Sequence, residues 1–122
     1  MSNQQLTIEC SPSIKNILCE ALLNYAQFSS QYSRISLSSV ETQEILSLVE
    51  DINQQYGSTG QVLLHINHRD HCARAIQYHY DRIYYLLNTS VDQQRVLMLN
   101  LLHGEPAGDA DLDRALQLDQ VV

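Results

Sequence analysis

The chain has 122 residues, of which 44% are hydrophobic and 17% charged, with a net charge of -7 at neutral pH. That length suits one domain able to bury about two thirds of its unfolded surface, and the composition fits a globular protein rather than a disordered one. With a single lysine, Lys15, it also lacks the broad basic stripe that neutralises phosphates, so nucleic acid is not the expected partner.

Glycine (4) and proline (2) are scarce, as expected of a helical chain. The three cysteines, Cys10, Cys19 and Cys72, form no CxxC pair. Their odd number argues for free thiols in a reducing compartment, so a cytoplasmic location is expected. The opening MSNQQLTIEC carries no positive n-region and no long apolar run, and no stretch approaches about 18 apolar residues. Neither a signal peptide nor a membrane span is expected.

In chain order, residues 5–10 alternate apolar and polar (Leu6, Ile8, Cys10), the pattern of a short strand or extended arm. Ser11 and Pro12 read as an N-cap followed by proline at the first helical position. Ile14, Ile17, Leu18, Ala21, Leu22, Tyr25 and Phe28 then form one apolar stripe at helical spacing, predicted to end near Ser29 or Ser30. Ser38 and Glu41 make a capping box for a second helix carrying Ile45, Leu46, Leu48, Val49, Ile52 and Tyr56, with Gly57 as its stop.

The third element has two readings. Either Ser58 and Gln61 cap a helix over about 60–88, or Asn67 and Asp70 cap one that starts after His68. In the second reading residues 62–66 form a short strand, paired with residues 5–10. Ser90 is the expected N-cap of a fourth helix holding Val96, Leu97, Leu99, Leu101 and Leu102, with Gly104 after it. Its apolar circumference requires a central position or a partner. Residues 105–122 form an acidic tail or a short helix built on Leu112, Ala115 and Leu116.

The richest chemistry lies between His65 and Tyr85, which hold four of the five histidines, four of the seven tyrosines and Cys72. On a helix at about 100° per residue, His68, Cys72, Ile76, His79, Ile83 and Leu86 share one face, broadened by Ala73, Tyr80 and Leu87. The other side carries Asp70, Arg74, Tyr78, Asp81, Arg82 and Tyr85, with His71 at its margin.

Three chemistries suit the first face. His68 and Cys72, four apart, can reach one ion, with His65 and His79 as further candidates for a transition metal such as zinc. Several histidines on a packing face would also couple protonation to packing. A nucleophilic Cys72 is disfavoured, because no glycine-rich turn surrounds it and the adjacent His71 points about 100° away. The second face favours binding: Arg74, Tyr78, Arg82 and Tyr85 are of the types enriched at interface hot spots. No phosphate-binding loop, dinucleotide fingerprint, GxSxG or EF-hand is present.

The expected architecture is therefore a single domain over residues 1–122, all-α or nearly so. It is a bundle-like fold of four to five helices with one short strand near residues 5–10 or 62–66. The expected function is a small cytoplasmic, non-enzymatic adaptor or regulator without a cofactor. It would bind a protein partner through helical faces, as a homodimer or in a hetero-complex. Two alternatives remain: a metal-responsive sensor using His65, His68, Cys72 and His79, and a helical transcription regulator supported only by the local arginines.

Overall fold

The computed structural model describes residues 5–32, 39–87, 91–105 and 107–120. Among them the elements run β1 (Gln5–Glu9), α1 (Pro12–Tyr32), α2 (Ser39–Thr59), β2 (Gln61–His65), α3 (Ile66–Leu87), α4 (Asp92–Leu101) and α5 (Asp109–Gln120). The fold is an all-α bundle carrying one small two-stranded ribbon, as its composition and periodicity imply.

Ser11 starts α1 as its side chain predicts. Its Oγ accepts the backbone N–H of Ile14 at 3.3 Å, while its carbonyl receives the N–H of Lys15 at 2.9 Å. The helix runs two residues past the expected stop at Ser30. The proposed caps Ser38 and Ser90 lie outside the described residues.

α2 passes through Gly57 and ends two residues later, at Thr59. An exposed helical glycine costs only about 1 kcal/mol, too little to break a helix held by Ile45, Leu48, Val49 and Ile52 in the core. The turn falls at Gly60, whose φ of +73° gives the left-handed conformation that a C-terminal cap uses. Its N–H bonds the Tyr56 carbonyl at 2.9 Å, and the chain enters β2 directly.

β1 and β2 pair antiparallel in the register Leu6↔Leu64, Thr7↔Leu63 and Ile8↔Val62. The strand reading of residues 62–66 thus holds, within a residue. The helix after it begins at Ile66, so His68 sits in its first turn rather than before it. Burial alternates along β2: Val62 and Leu64 are fully enclosed, whereas Leu63 is exposed.

α1 lies at the centre, packed chiefly on α3 and α2. Its Ile14, Leu18, Ala21, Leu22 and Tyr25 meet Ile45 and Ile52 of α2, Ile8 and Val62 of the ribbon and Ile76 of α3 in one continuous core. Each such large side chain contributes about 1.5–3 kcal/mol on burial. α4 packs on α3 and α5. Its Met98 and Leu101, with Leu102 just beyond, are buried, while Val96 is exposed.

The acidic C-terminal segment forms a helix rather than a loose tail. α5 opens at Gly108, whose N–H is held by the Asp111 carboxylate at 2.9 Å. Leu112 and Ala115 dock it on the core, whereas Leu116, expected on the same stripe, is exposed. No helix among the described residues is long and apolar enough to cross a membrane.

Candidate functional site

α3 carries nearly all the candidate residues, and the structure redistributes them. Cys72, Ala75, Ile76 and Tyr80 are enclosed, and so is Tyr78, which the sequence places on the outer face with only 8% of its surface exposed. Its ring lies 5.7 Å from that of Tyr25, tilted by 46°. The reason is that α1 and α2 cover a second stripe of α3. Along that stripe His71 reaches Glu44 of α2 at 3.3 Å. Tyr78 is thus a core residue, not a binding residue.

The metal set does not assemble. His65 and His68 approach as an edge-on ring pair with centroids 6.1 Å apart, and His68 lines a groove against α2. Cys72 is fully buried, and burial first, then the nearby Cys19 and Cys10, pushes its thiol up to about 12. The thiolate is the form that binds metals and attacks electrophiles, so burial disfavours both roles for Cys72. His79 stands further along the helix, its ring edge-on to Tyr80 at 5.0 Å. Burial lowers its pKa, the charge of Glu20 opposes that, and Arg82 lowers it further. Among the described residues no three His, Cys, Asp or Glu side chains come together as a metal-holding group.

The cysteines instead converge in the core. Cys10 follows β1, Cys19 lies on α1 and Cys72 on α3, and all three are buried free thiols. Burial, with Cys19 beside it, raises Cys10 to about 11. The Cys19 thiol points at the Asn53 side-chain oxygen at 3.9 Å and is also raised by burial, partly offset by Lys15.

The large apolar and aromatic side chains that α3 leaves exposed lie in its last turn. Tyr84, Tyr85 and Leu86 are 58%, 80% and 53% exposed. The packing face predicted to run through Leu86 ends earlier, at the half-buried Ile83. Tyr84, which the helical projection passed over, borders a shallow cleft of about 320 Å³ with Tyr80, Asp81, Val91, Asp92 and Arg95. Arg95 is held on its wall by Asp92 at 2.9 Å, and the Tyr80 hydroxyl donates to the Gln94 side chain at 3.1 Å. The doublet Tyr84-Tyr85, adjacent at a helix end, was the signal available in the sequence. Of the four predicted contact residues, Arg74 and Tyr85 are exposed, Arg82 is half-buried and Tyr78 is enclosed.

Two other depressions flank the bundle. Val40, Glu44, Ser47, Leu48, Asp51 and His68 line a groove of about 620 Å³ between α2 and α3. Val96, Leu97, Asn100, Arg114 and Leu118 line one of about 290 Å³ between α4 and α5.

No protein-family model matches the chain, and neither a curated protein nor a solved structure shows significant similarity to it.

Proposed function

We propose that the chain is a small cytoplasmic, non-enzymatic adaptor or regulator that docks a protein partner through the C-terminal end of α3. Tyr84 and Tyr85 are its main contacts. The observation that supports this reading is the run of three consecutive large side chains, Tyr84 to Leu86, each more than half exposed at the end of a helix that buries Ile76, Tyr78 and Tyr80. Contiguous exposed apolar and aromatic surface marks interaction sites on small proteins. Tyrosine suits the task because its ring buries a large area while the hydroxyl keeps a hydrogen bond. The half-buried Arg82 and the Asp92–Arg95 pair beside the cleft supply the polar rim.

The test is site-specific photo-crosslinking in the cells that make the protein. A photoreactive phenylalanine analogue at position 85 should give a discrete protein adduct, and the same analogue at the exposed Gln77 on the same helix should not. Replacing Tyr84 and Tyr85 together by serine should weaken binding of that partner at least tenfold, as loss of ~2 kcal/mol of hot-spot energy requires. Equal adducts at both positions, or none at position 85, would reject the reading.

A further inference from the structure

The ribbon has two edges, and they are treated differently. On the outer side of β2 the Gln55 side chain of α2 behaves like a neighbouring strand. Its Oε1 accepts the Leu63 N–H at 2.7 Å, and its Nε2 donates to the Leu63 carbonyl at 3.3 Å. An edge residue's exposed backbone groups are thereby satisfied, which blunts that edge against further pairing.

The same bonds orient the ladder. Since the N–H and C=O of Leu63 point away from β1, the pair Thr7↔Leu63 is a non-hydrogen-bonded one. Alternation then makes Leu6↔Leu64 and Ile8↔Val62 the bonded pairs. The bond from the Cys10 N–H to the Gly60 carbonyl, at 3.4 Å, continues that alternation. The backbone N–H and C=O groups of Gln5, Thr7 and Glu9 consequently point out from the far edge of β1. Among the described residues β2 is the one element that packs substantially on β1, and no helix packs against it as α2 packs against β2. The segment Gln5–Glu9 also contains no lysine, no proline and no bulge, the usual devices for protecting an edge.

From this edge we propose that a second copy of the chain pairs with β1, antiparallel and centred on Thr7, so that two ribbons join into one four-stranded sheet. The segment is self-complementary in that register. Thr7 meets its own counterpart across the two-fold axis, Leu6 meets Ile8, and Gln5 meets Glu9. Apolar residues face apolar ones, and the two glutamates stand at opposite ends, so no like charges meet. The outward-pointing groups are the ones this register uses, giving up to three hydrogen-bonded pairs across the axis. Such an interface is isologous and closes as a dimer. It lies on a different element from the α3 surface and does not depend on the adaptor reading.

Thr7→Pro isolates the proposal. Proline at this position removes an N–H that points off the edge and leaves the bonded pairs of β1 with β2 intact, a placement edge strands tolerate. In sedimentation equilibrium the wild-type mass should rise from 13.9 kDa toward twice that value as concentration increases. T7P should associate at least ~10-fold more weakly, because two hydrogen bonds across the axis are lost. Amide exchange guards against a variant that fails to fold. In the wild type the Thr7 amide should slow with concentration, while that of Leu63, held by Gln55, stays slow throughout. The Tyr84 and Tyr85 double serine variant should dimerise normally. A wild type that stays monomeric with a fast Thr7 amide, or a folded T7P that dimerises as tightly as wild type, would overturn the proposal.

Discussion

Asp119, near the end of α5, caps the start of α4: its Oδ1 accepts the backbone N–H of Gln93 at 2.9 Å across 26 residues of sequence. The other oxygen takes the Gln94 N–H at 3.3 Å. The local N-cap position is Val91, which has no side-chain acceptor, so the first turn of α4 is completed by another helix. The contact also fastens α5 to the bundle.

Asp119→Ala should therefore cost about 1–2 kcal/mol, the loss of an N-cap with a charge at a helix start. Asp119→Asn, which keeps an acceptor, should cost less than half of that. Urea unfolding with an unchanged m-value measures both.

Tyr78→Ala and Tyr85→Ala should behave as opposites although they lie on the face that sequence alone groups together. The first removes a core ring packed against Tyr25 and should cost ~3–5 kcal/mol. The second should stay within ~0.5 kcal/mol of wild type. Equal destabilisation would mean that α3 is rotated relative to the bundle.

Stability should fall as the pH drops below about 6.5, the ordinary histidine value. His79 has its folded-state pKa lowered, chiefly by burial. The unfolded chain then takes up that proton before the folded one does, so folding is opposed as the pH falls through this window. His79→Gln should flatten the profile of unfolding midpoint between pH 7.5 and 5.5; a profile as steep as wild type would show that other groups carry the dependence.

The three thiols should be nearly inert in the folded protein at neutral pH. Cys10 and Cys72 are raised to about 11 and about 12 by burial, and Cys19 is raised as well. An aromatic disulfide reagent should titrate all three only after denaturant is added, since the thiolate is the reactive species. Rapid labelling of Cys72 in native buffer would contradict its position in the core.

Much of the architecture was legible because it is local. Ser11 and Pro12 mark the start of α1, and the stripes of α1 and α2 identify Ile14, Leu18, Leu22, Ile45 and Ile52 as core. The alternation at residues 5–10 points to β1, whereas residues 62–66 fit both a strand and a continuous helix. The stop of α2 was misplaced because a glycine inside a helix and one ending it differ in φ, which composition does not reveal. Among the candidate residues, Tyr85 and Arg74 were correctly placed outside, whereas Tyr78 and Leu86 were exchanged.

Periodicity by itself determined that this chain is a small helical domain and which residue types share each helical face, because 3.6 residues per turn is a property of the backbone. How much of a face is covered depends on how many neighbours a helix has. Tertiary structure alone decided that α1 and α2 together enclose a second stripe of α3, taking Tyr78 inward and leaving Tyr84 and Tyr85 outside. It also brought Cys10, Cys19 and Cys72 into one core, set Asp119 over α4 and let Gln55 close one edge of the ribbon. These are contacts between residues distant in sequence, fixed by the packing of the whole bundle rather than by any local preference.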